Sequence, residues 1–317
     1  MSITSAVAIK VVNLFFVMIM GMILRKTKVL DKHSTSALSA ILVNITNPFL
    51  VITAFQKPFT PHLAKSGFIV LGLSVLMHIL TAIIGTVAFR FERVRTKQKI
   101  YSFAMIFANC GFLGYPVLMA LCSSLGDENG LFYGVFFTLF FNIFCWTYGV
   151  ILMNDGKGLD AKTLCKKILL NPSFISVIVG FLMFMLRINV PVFIYEGMEY
   201  IGNMTFPLSM LIVGSLFCEL ELRELFKGKT MYWFLFLKLI AFPTVMIFAS
   251  KLVGLPVLYA YILITMCSMP AASNTAIMAD YYDADRLLAA KCVSLSTVLS
   301  VVTIPIMIML ATAVLGA

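Results

Sequence analysis

The stretch Asn109-Cys110-Gly111-Phe112-Leu113-Gly114-Tyr115-Pro116 lies inside an apolar run, residues 101–122, that is long enough to cross a bilayer. Proline removes a helical hydrogen bond and clashes with the preceding turn, and glycine leaves helical dihedral angles at little steric cost. We therefore expect the helix to be interrupted at membrane depth. Backbone that leaves a helix inside hydrocarbon must lie against protein or a wet cavity, because its N–H and C=O groups otherwise have no partners.

A second interruption occurs in the other half of the chain. The stretch Met269-Pro270-Ala271-Ala272-Ser273-Asn274-Thr275 divides the apolar run of residues 258–282. Interrupted hydrophobic segments at corresponding positions of two halves are the best sequence indication of a transporter binding site. The two stretches therefore point to both the fold and the function.

The composition excludes a water-soluble domain. Of the 317 residues, 61% are hydrophobic and only 12% are charged, and the mean hydropathy is +1.00, whereas soluble domains have about 25% charged residues. The net charge of +10 does not indicate a nucleic-acid partner, because the Lys and Arg residues lie in short loops between apolar spans. The seven cysteines have no CxxC or metal-ligand spacing and are predicted to be reduced packing residues.

Ten apolar spans are predicted to be membrane helices, since a helix needs about 20 residues to cross the bilayer. They cover residues 6–24, 36–55, 66–89, 100–122, 130–153, 173–188, 195–217, 231–252, 257–280 and 287–314. The loops after the odd-numbered spans contain 18 Lys and Arg residues and the opposite side contains 4. This bias predicts that those loops face the cytoplasm and that both termini lie outside the plasma (inner) membrane. The first span has no cleavage site after it, so we expect a membrane helix and not a signal peptide.

Three matches relate the two halves of the chain at nearly one spacing. The pattern Asn-x-Thr-x-Pro occurs at residues 44–48 and 203–207, 159 residues apart, and His78 and Lys238 are 160 apart. The two interrupted spans are separated by about 154–158 residues. Five spans is an odd number, so the second half must enter from the opposite side, which predicts an inverted repeat. The expected parts are a first five-helix repeat, a cytoplasmic connector and a second five-helix repeat, at residues 1–153, 154–172 and 173–317.

Together these motifs resemble the auxin efflux carrier family, which also contains bacterial permeases of the malonate and malate type. The resemblance covers nearly the whole chain and is most specific at Asn-x-Gly-x-x-Gly-x-Pro, residues 109–116, and Pro-Ala-Ala, residues 270–272. It implies an all-α fold of ten transmembrane helices, like that of sodium/proton antiporters and bile-acid symporters, in which helices 4 and 9 cross at their breaks. It also implies a usually dimeric scaffold of helices 1, 2, 6 and 7, a mobile transport domain of helices 3–5 and 8–10, and small organic anions as substrates.

The two breaks predict where an anion binds. The N-terminus of a half-helix has free N–H groups and about half a positive charge, so two facing ends attract a carboxylate. Residues expected to contact the substrate are Asn109, Gly111, Tyr115, Ser273, Asn274 and Thr275, with Asn44 of the second span closing the pocket. Residues expected to interrupt or kink the helices are Gly114, Pro116, Pro270, Pro48 and Pro207. The alternative is that the polar side chains only satisfy backbone groups at packing kinks.

His78 and Lys238 are ionisable residues deep in their spans. Either they support the anion site, with Lys238 paired to Asp280 as one possibility, or Lys238 extends to the interface and His78 stays neutral on a carbonyl. Neither break contains an Asp or Glu residue. This absence favours transport driven by the membrane potential, because ion-coupled carriers usually keep a carboxylate in the membrane. The alternatives are a sodium- or proton-coupled symporter of the same fold, or a membrane sensor that does not transport.

The inventory of motifs argues against an enzyme. The three histidines form no HExxH motif, and the chain has no Gly-x-Gly-Asp dyad and no P-loop. We therefore expect neither catalysis nor a cofactor or metal.

Overall fold

The structure, a computed structural model, describes residues 2–154, 169–218 and 228–316. These ranges are helical apart from connecting turns and one isolated β-bridge. The first five spans are α1 Ile3–Lys26, α2 Lys32–Ala54, α3 Pro61–Ala88, α4a Arg95–Ile106 with α4b Gly114–Ser124, and α5 Gly130–Met153. The other five are α6 Pro172–Met185, α7 Val192–Phe217, α8 Lys229–Val253, α9a Val257–Cys267 with α9b Asn274–Tyr281, and α10 Arg286–Leu315. Most of the predicted connector lies outside the described residues.

The helices correspond in order to the ten predicted spans. Seven of them, α1, α2, α3, α5, α7, α8 and α10, are long and apolar enough to cross a membrane. The other three spans are α6, which has 14 residues, and the two broken helices. Helices α2 and α4a begin four or five residues before their predicted starts, because the polar residues around Lys32 and Arg95 continue the helix beyond the apolar run.

Two prolines are accommodated without a break. The π-helical turns Leu42–Thr46 in α2 and Leu237–Ala241 in α8 end just before Pro48 and Pro243. Such a widened turn moves away the carbonyl that a proline ring would otherwise meet. The prediction that Pro48 breaks its helix is therefore wrong, since α2 runs through it. Pro207 lies in the first turn after a one-residue interruption of α7.

Glycines bring α1 and α7 into close contact. A Cβ atom on Gly214 would lie 2.0 Å from the Met18 carbonyl oxygen, and one on Gly21 would lie 2.3 Å from the Leu211 carbonyl oxygen. Small residues allow membrane helices to approach this closely. Around this pair, α2 packs on both α6 and α7.

The remaining helices pack around the two broken ones. Helix α3 lies against α4a, α5 and α9a, and α10 lies against α8, α9a and α9b. The segments facing the breaks are buried: every residue from Lys99 to Ile106 in α4a, and from Ala260 to Cys267 in α9a. The two interruptions therefore lie in the interior of the molecule and not on its lipid-facing surface.

Candidate substrate site between the two helix breaks

The interruptions in α4 and α9 are hydrogen-bonded to each other. The Asn109 N–H donates to the Pro270 carbonyl at 2.8 Å, and the Ala272 N–H donates to the Phe107 carbonyl at 2.9 Å. This reciprocal pair is the isolated antiparallel bridge of the structure. Each break thus satisfies part of the backbone that the other one frees, which lowers the cost of leaving a helix at membrane depth.

Three predicted break residues lie in the gaps of the two helices or directly beside them. Pro270 lies between α9a and α9b and supplies a carbonyl to the bridge. Pro116 is the third residue of α4b and lies in its first turn, where a proline is tolerated. Gly114 begins α4b, and a Cβ atom there would lie 3.2 Å from the Met266 sulfur of α9a. Gly114 therefore permits close packing of the two broken helices.

A cavity of about 250 Å³ lies beside the breaks. Five of the predicted contact residues line it: Asn109, Gly111, Tyr115, Ser273 and Asn274. Helices α2 and α5 and the start of α6 supply most of the other side chains, namely Val43, Asn47, Thr138, Phe141, Asn142, Trp146, Asn171 and Ser173. Among the described residues, none that lines this cavity is charged.

Residues with unpaired hydrogen-bond donors line the cavity. The Asn109 side chain is only 3% exposed, and its Nδ2 is buried and has no hydrogen-bond partner in the described part of the chain, although buried polar groups are nearly always paired. The backbone N–H groups of Gly111, Phe112, Ser273 and Asn274 donate to no other backbone group of the described chain. All five residues line the same cavity. The arrangement can therefore bind a group that accepts several hydrogen bonds.

Tyr115 is held by α5. Its hydroxyl shares a hydrogen bond with the Thr138 hydroxyl, which donates to the Val135 carbonyl at 3.2 Å, so Tyr115 is the donor to Thr138. Gly134 leaves room for the ring, since a Cβ atom there would lie 2.7 Å from the Cδ1 atom of Tyr115. The hydroxyl is occupied, and the ring is the part of Tyr115 that is available to the cavity.

Three asparagines at the cavity, Asn47, Asn142 and Asn171, were not among the predicted site residues. Asn47 in α2 donates from Nδ2 to the Ser173 hydroxyl at 2.8 Å, and Asn142 in α5 donates to the Thr138 carbonyl at 2.9 Å. Their positions carried a signal: Asn47 directly precedes a proline, and Asn142 is an amide among phenylalanines.

Two predicted contacts lie away from the cavity. Asn44 is exposed and donates to the Ala40 carbonyl of its own helix at 2.8 Å, so Asn47, three residues later, takes its place. Thr275 is buried and its hydroxyl has no hydrogen-bond partner within the described ranges, but it does not line the cavity.

Lys238 contacts the end of α4a, just before the break in α4, and is not part of the cavity lining. It is 1% exposed, and its Nζ donates to the Met105 carbonyl at 2.8 Å. Asp280 is 62% exposed and pairs with Arg286 at 3.3 Å. The expected Lys238–Asp280 pair is therefore wrong, and so is the expectation that Lys238 extends to the interface.

His78 is also buried away from the cavity lining. Its Nδ1 lies 2.7 Å from the Ser74 carbonyl, as one of the two predictions has it, and its Nε2 has no hydrogen-bond partner among the described residues. The ring is surrounded by the phenylalanines Phe107, Phe137, Phe140, Phe141 and Phe144.

A second cavity of about 500 Å³ continues from the first one. The second cavity reaches Lys32 and Arg286 at the starts of α2 and α10. The two cavities share five lining residues: Val43, Phe112, Ser273, Asn274 and Ile277. Those helices begin on the side of the odd-numbered loops. The site is therefore connected toward the side where the positive residues are concentrated.

Comparison with known proteins shows the family to which this chain belongs. A family model described as "Membrane transport protein" matches residues 6–308. The chain belongs to this family, the auxin efflux carrier family. An uncharacterized transporter of Methanothermobacter thermautotrophicus is 25% identical over 302 residues, which cover 93% of this chain and 95% of the relative. An uncharacterized transporter of Methanocaldococcus jannaschii is 24% identical over 289 residues, covering 87% and 89%. The protein is thus a multi-pass membrane transporter and not an enzyme.

Proposed function

We propose that this transporter carries small organic anions, carboxylates of the malonate, malate or auxin type, across the plasma membrane. The observation that carries the proposal is that five residues lining one uncharged cavity have unpaired donors: the Asn109 amide and four backbone N–H groups. Two half-helix N-termini supply about one positive unit, since each is worth about half a charge. A carboxylate accepts several hydrogen bonds and would match this field.

The size of the cavity limits the substrate. About 250 Å³ is slightly below the roughly 300–1,000 Å³ of typical ligand pockets, which favours a small acid. The walls include the rings of Phe112, Tyr115, Phe141 and Trp146. Apolar walls with a few placed polar groups are typical of ligand sites, and these walls favour an acid with an apolar body.

The mechanism that we propose is elevator-type alternating access in a 5+5 inverted repeat. One support is that the Thr205 hydroxyl donates to Thr46 at 3.0 Å. These residues are 159 apart, and equivalent residues meet in this way near a two-fold axis between repeats. A second support is the reciprocal bonding of the two breaks. The repeats are residues 1–153 and 173–317, with helices 4 and 9 crossing at the breaks.

The moving part would be helices 3–5 and 8–10, and the scaffold would be helices 1, 2, 6 and 7, paired in a homodimer. The packing of α1 on α7 and of α2 on α6 and α7 supports this division. The cavity lies between the two parts, because α2 and α6 contribute Asn47, Asn171 and Ser173 while α4, α5 and α9 contribute the rest of its polar lining. Sliding at that boundary would expose the site to one side at a time.

We further propose that the membrane potential drives transport. Among the described residues, the buried charged side chains are Lys99 and Lys238, and no carboxylate is buried. Symport with sodium or protons would normally use a carboxylate in the membrane. The inventory therefore supports uniport over ion coupling.

The test is uptake by purified protein in proteoliposomes. Radiolabelled indole-3-acetate, malonate and malate are supplied with and without sodium, pH and potassium/valinomycin gradients. We expect saturable uptake of at least one acid that responds to voltage and needs no ion gradient. A requirement for sodium or a pH gradient would favour the symporter, and a thermal shift on acid binding without uptake would favour the sensor. Absence of both uptake and shift would refute anion transport.

A further inference from the structure

We infer that Lys238 is the counter-charge of the transported anion, so that the loaded transport domain is electrically neutral and the membrane potential acts on the return of the empty domain. The inference rests on the proposed anion transport and assigns the charge that moves in each step. It follows from the position of Lys238, from the helix end that it caps and from the other charges of the interior.

Lys238 is deep in the membrane-spanning part. It lies nine residues after Lys229, the start of α8, which is about 13 Å at 1.5 Å per residue. Its side chain is 1% exposed and its Nζ donates to the Met105 carbonyl at 2.8 Å. A charge at this depth that moves across the membrane moves through much of the transmembrane field.

Burial disfavours a charged ammonium, but one neighbour of Lys238, the C-terminal end of α4a, favours it. Met105 lies in the last turn of α4a, where the helix dipole places about half a negative charge. The break in α4 therefore has two electrically distinct ends. The N-terminal end of α4b borders the cavity and attracts an anion, while the C-terminal end of α4a is capped by a lysine.

The described interior contains no buried carboxylate to offset Lys238. Asp280 is 62% exposed and is paired with Arg286. Lys99 lies in the first turns of α4a, near the polar end of the helix, and donates to the Met153 carbonyl at 3.2 Å. In the deep interior of the proposed transport domain, Lys238 is thus a positive charge without an acidic partner among the described residues.

With Lys238 charged, the proposed transport domain has a different net charge when it carries the anion and when it is empty. With one monoanion in the cavity, the charges of Lys238 and the substrate cancel. Without substrate, the domain carries one positive charge, which a negative interior pulls inward. One charge crossing 100 mV can change a rate by up to about 50-fold. Net efflux, which includes the return of the empty domain, should respond to voltage, whereas exchange of anion for anion should not.

The experiment compares these two fluxes in proteoliposomes, with indole-3-acetate as the probe and a potassium/valinomycin potential of about 100 mV. For the wild type we expect exchange to change by less than about twofold while net efflux changes several-fold. Exchange that follows voltage as strongly as net efflux would overturn the assignment. A wild type that does not carry indole-3-acetate at zero potential would refute the proposed function for this acid. No anion-loaded state would then exist whose charge Lys238 could balance, so the inference would also be overturned for this acid.

Two variants and one control isolate the charge. Lys238→Met leaves the loaded domain with the charge of the anion, so its exchange should become voltage-dependent by several-fold; exchange that stays insensitive would overturn the inference. Lys238→Arg keeps the charge and should exchange like the wild type. Lys251→Met, an exposed lysine near the end of the same helix, is the matched control and should also behave like the wild type. Since the wild-type comparison needs no variant, the test survives a variant that fails to fold.

Discussion

The prolines of α2 and α8 and those of α4 and α9 have opposite effects on their helices. Pro48 and Pro243 follow π-helical turns, and both helices continue. Helix α9 is in two pieces at Pro270, and α4 is in two pieces just before Pro116, which is the third residue of α4b. The difference is that the two broken helices form hydrogen bonds with each other: the Asn109–Pro270 and Ala272–Phe107 backbone bonds replace helical ones. At Pro48 and Pro243 a proline leaves the helix continuous, and at the two breaks a partner for the freed backbone allows the helix to open.

The largest effect is expected from Asn109→Ala. Its Nδ2 has no partner within the described protein, so its removal should leave stability nearly unchanged but cost a hydrogen bond to a charged group, about 1.5–3 kcal/mol, or roughly 10- to 150-fold in substrate affinity. Uptake kinetics and thermal unfolding in detergent measure the two effects. Asn44→Ala, which removes an exposed amide, is the matched control. A large loss of stability with normal KM would mean that Asn109 is a packing residue.

The second effect concerns the breaks themselves. Pro270→Ala should slow transport several-fold, because alanine permits helical hydrogen bonding where proline prevents it. Pro48→Ala should have a smaller effect, since α2 is already continuous there. Initial rates of uptake at saturating acid compare the two. Equal rates in both variants and the wild type would show that the breaks have no part in the movement.

A smaller effect is expected from Gly134→Ala. The new Cβ atom would lie 2.7 Å from the Tyr115 ring, so the ring must shift and the wall of the cavity with it. Overpacking of this kind typically costs about 1–3 kcal/mol, and we expect a rise in KM larger than the loss in maximal rate. Gly72→Ala in α3, where a Cβ atom meets nothing within 4 Å, should leave both constants unchanged.

The two helix breaks could be predicted from the sequence, because Gly, Pro and Asn clustered within an apolar run are typical of an interrupted membrane helix. The sequence placed Asn109 and Asn274 at one cavity on that basis alone. It could not distinguish Pro48 from Pro270, since the presence of a partner break 163 residues away is a tertiary property. The repeated pattern Asn-x-Thr-x-Pro pointed to Asn44 as the site residue. In the structure Asn47 lies on the face of α2 that lines the cavity, and Asn44 is exposed.

Lys238 shows the same limit more clearly. Its depth could be counted from the sequence, but its partner is a backbone carbonyl 133 residues away. Every residue has a main-chain carbonyl, so the sequence does not indicate which one accepts a hydrogen bond from Lys238. The expectation of an acidic partner therefore considered side chains alone.

The most direct test of the central claim is a cryo-EM map of the protein with a transported acid bound. The account predicts carboxylate density within hydrogen-bond distance of the Asn109 amide and of the N–H groups at Gly111 and Phe112 or at Ser273 and Asn274. Carboxylate density away from the breaks, for example between Lys32 and Arg286 in the second cavity, would contradict it.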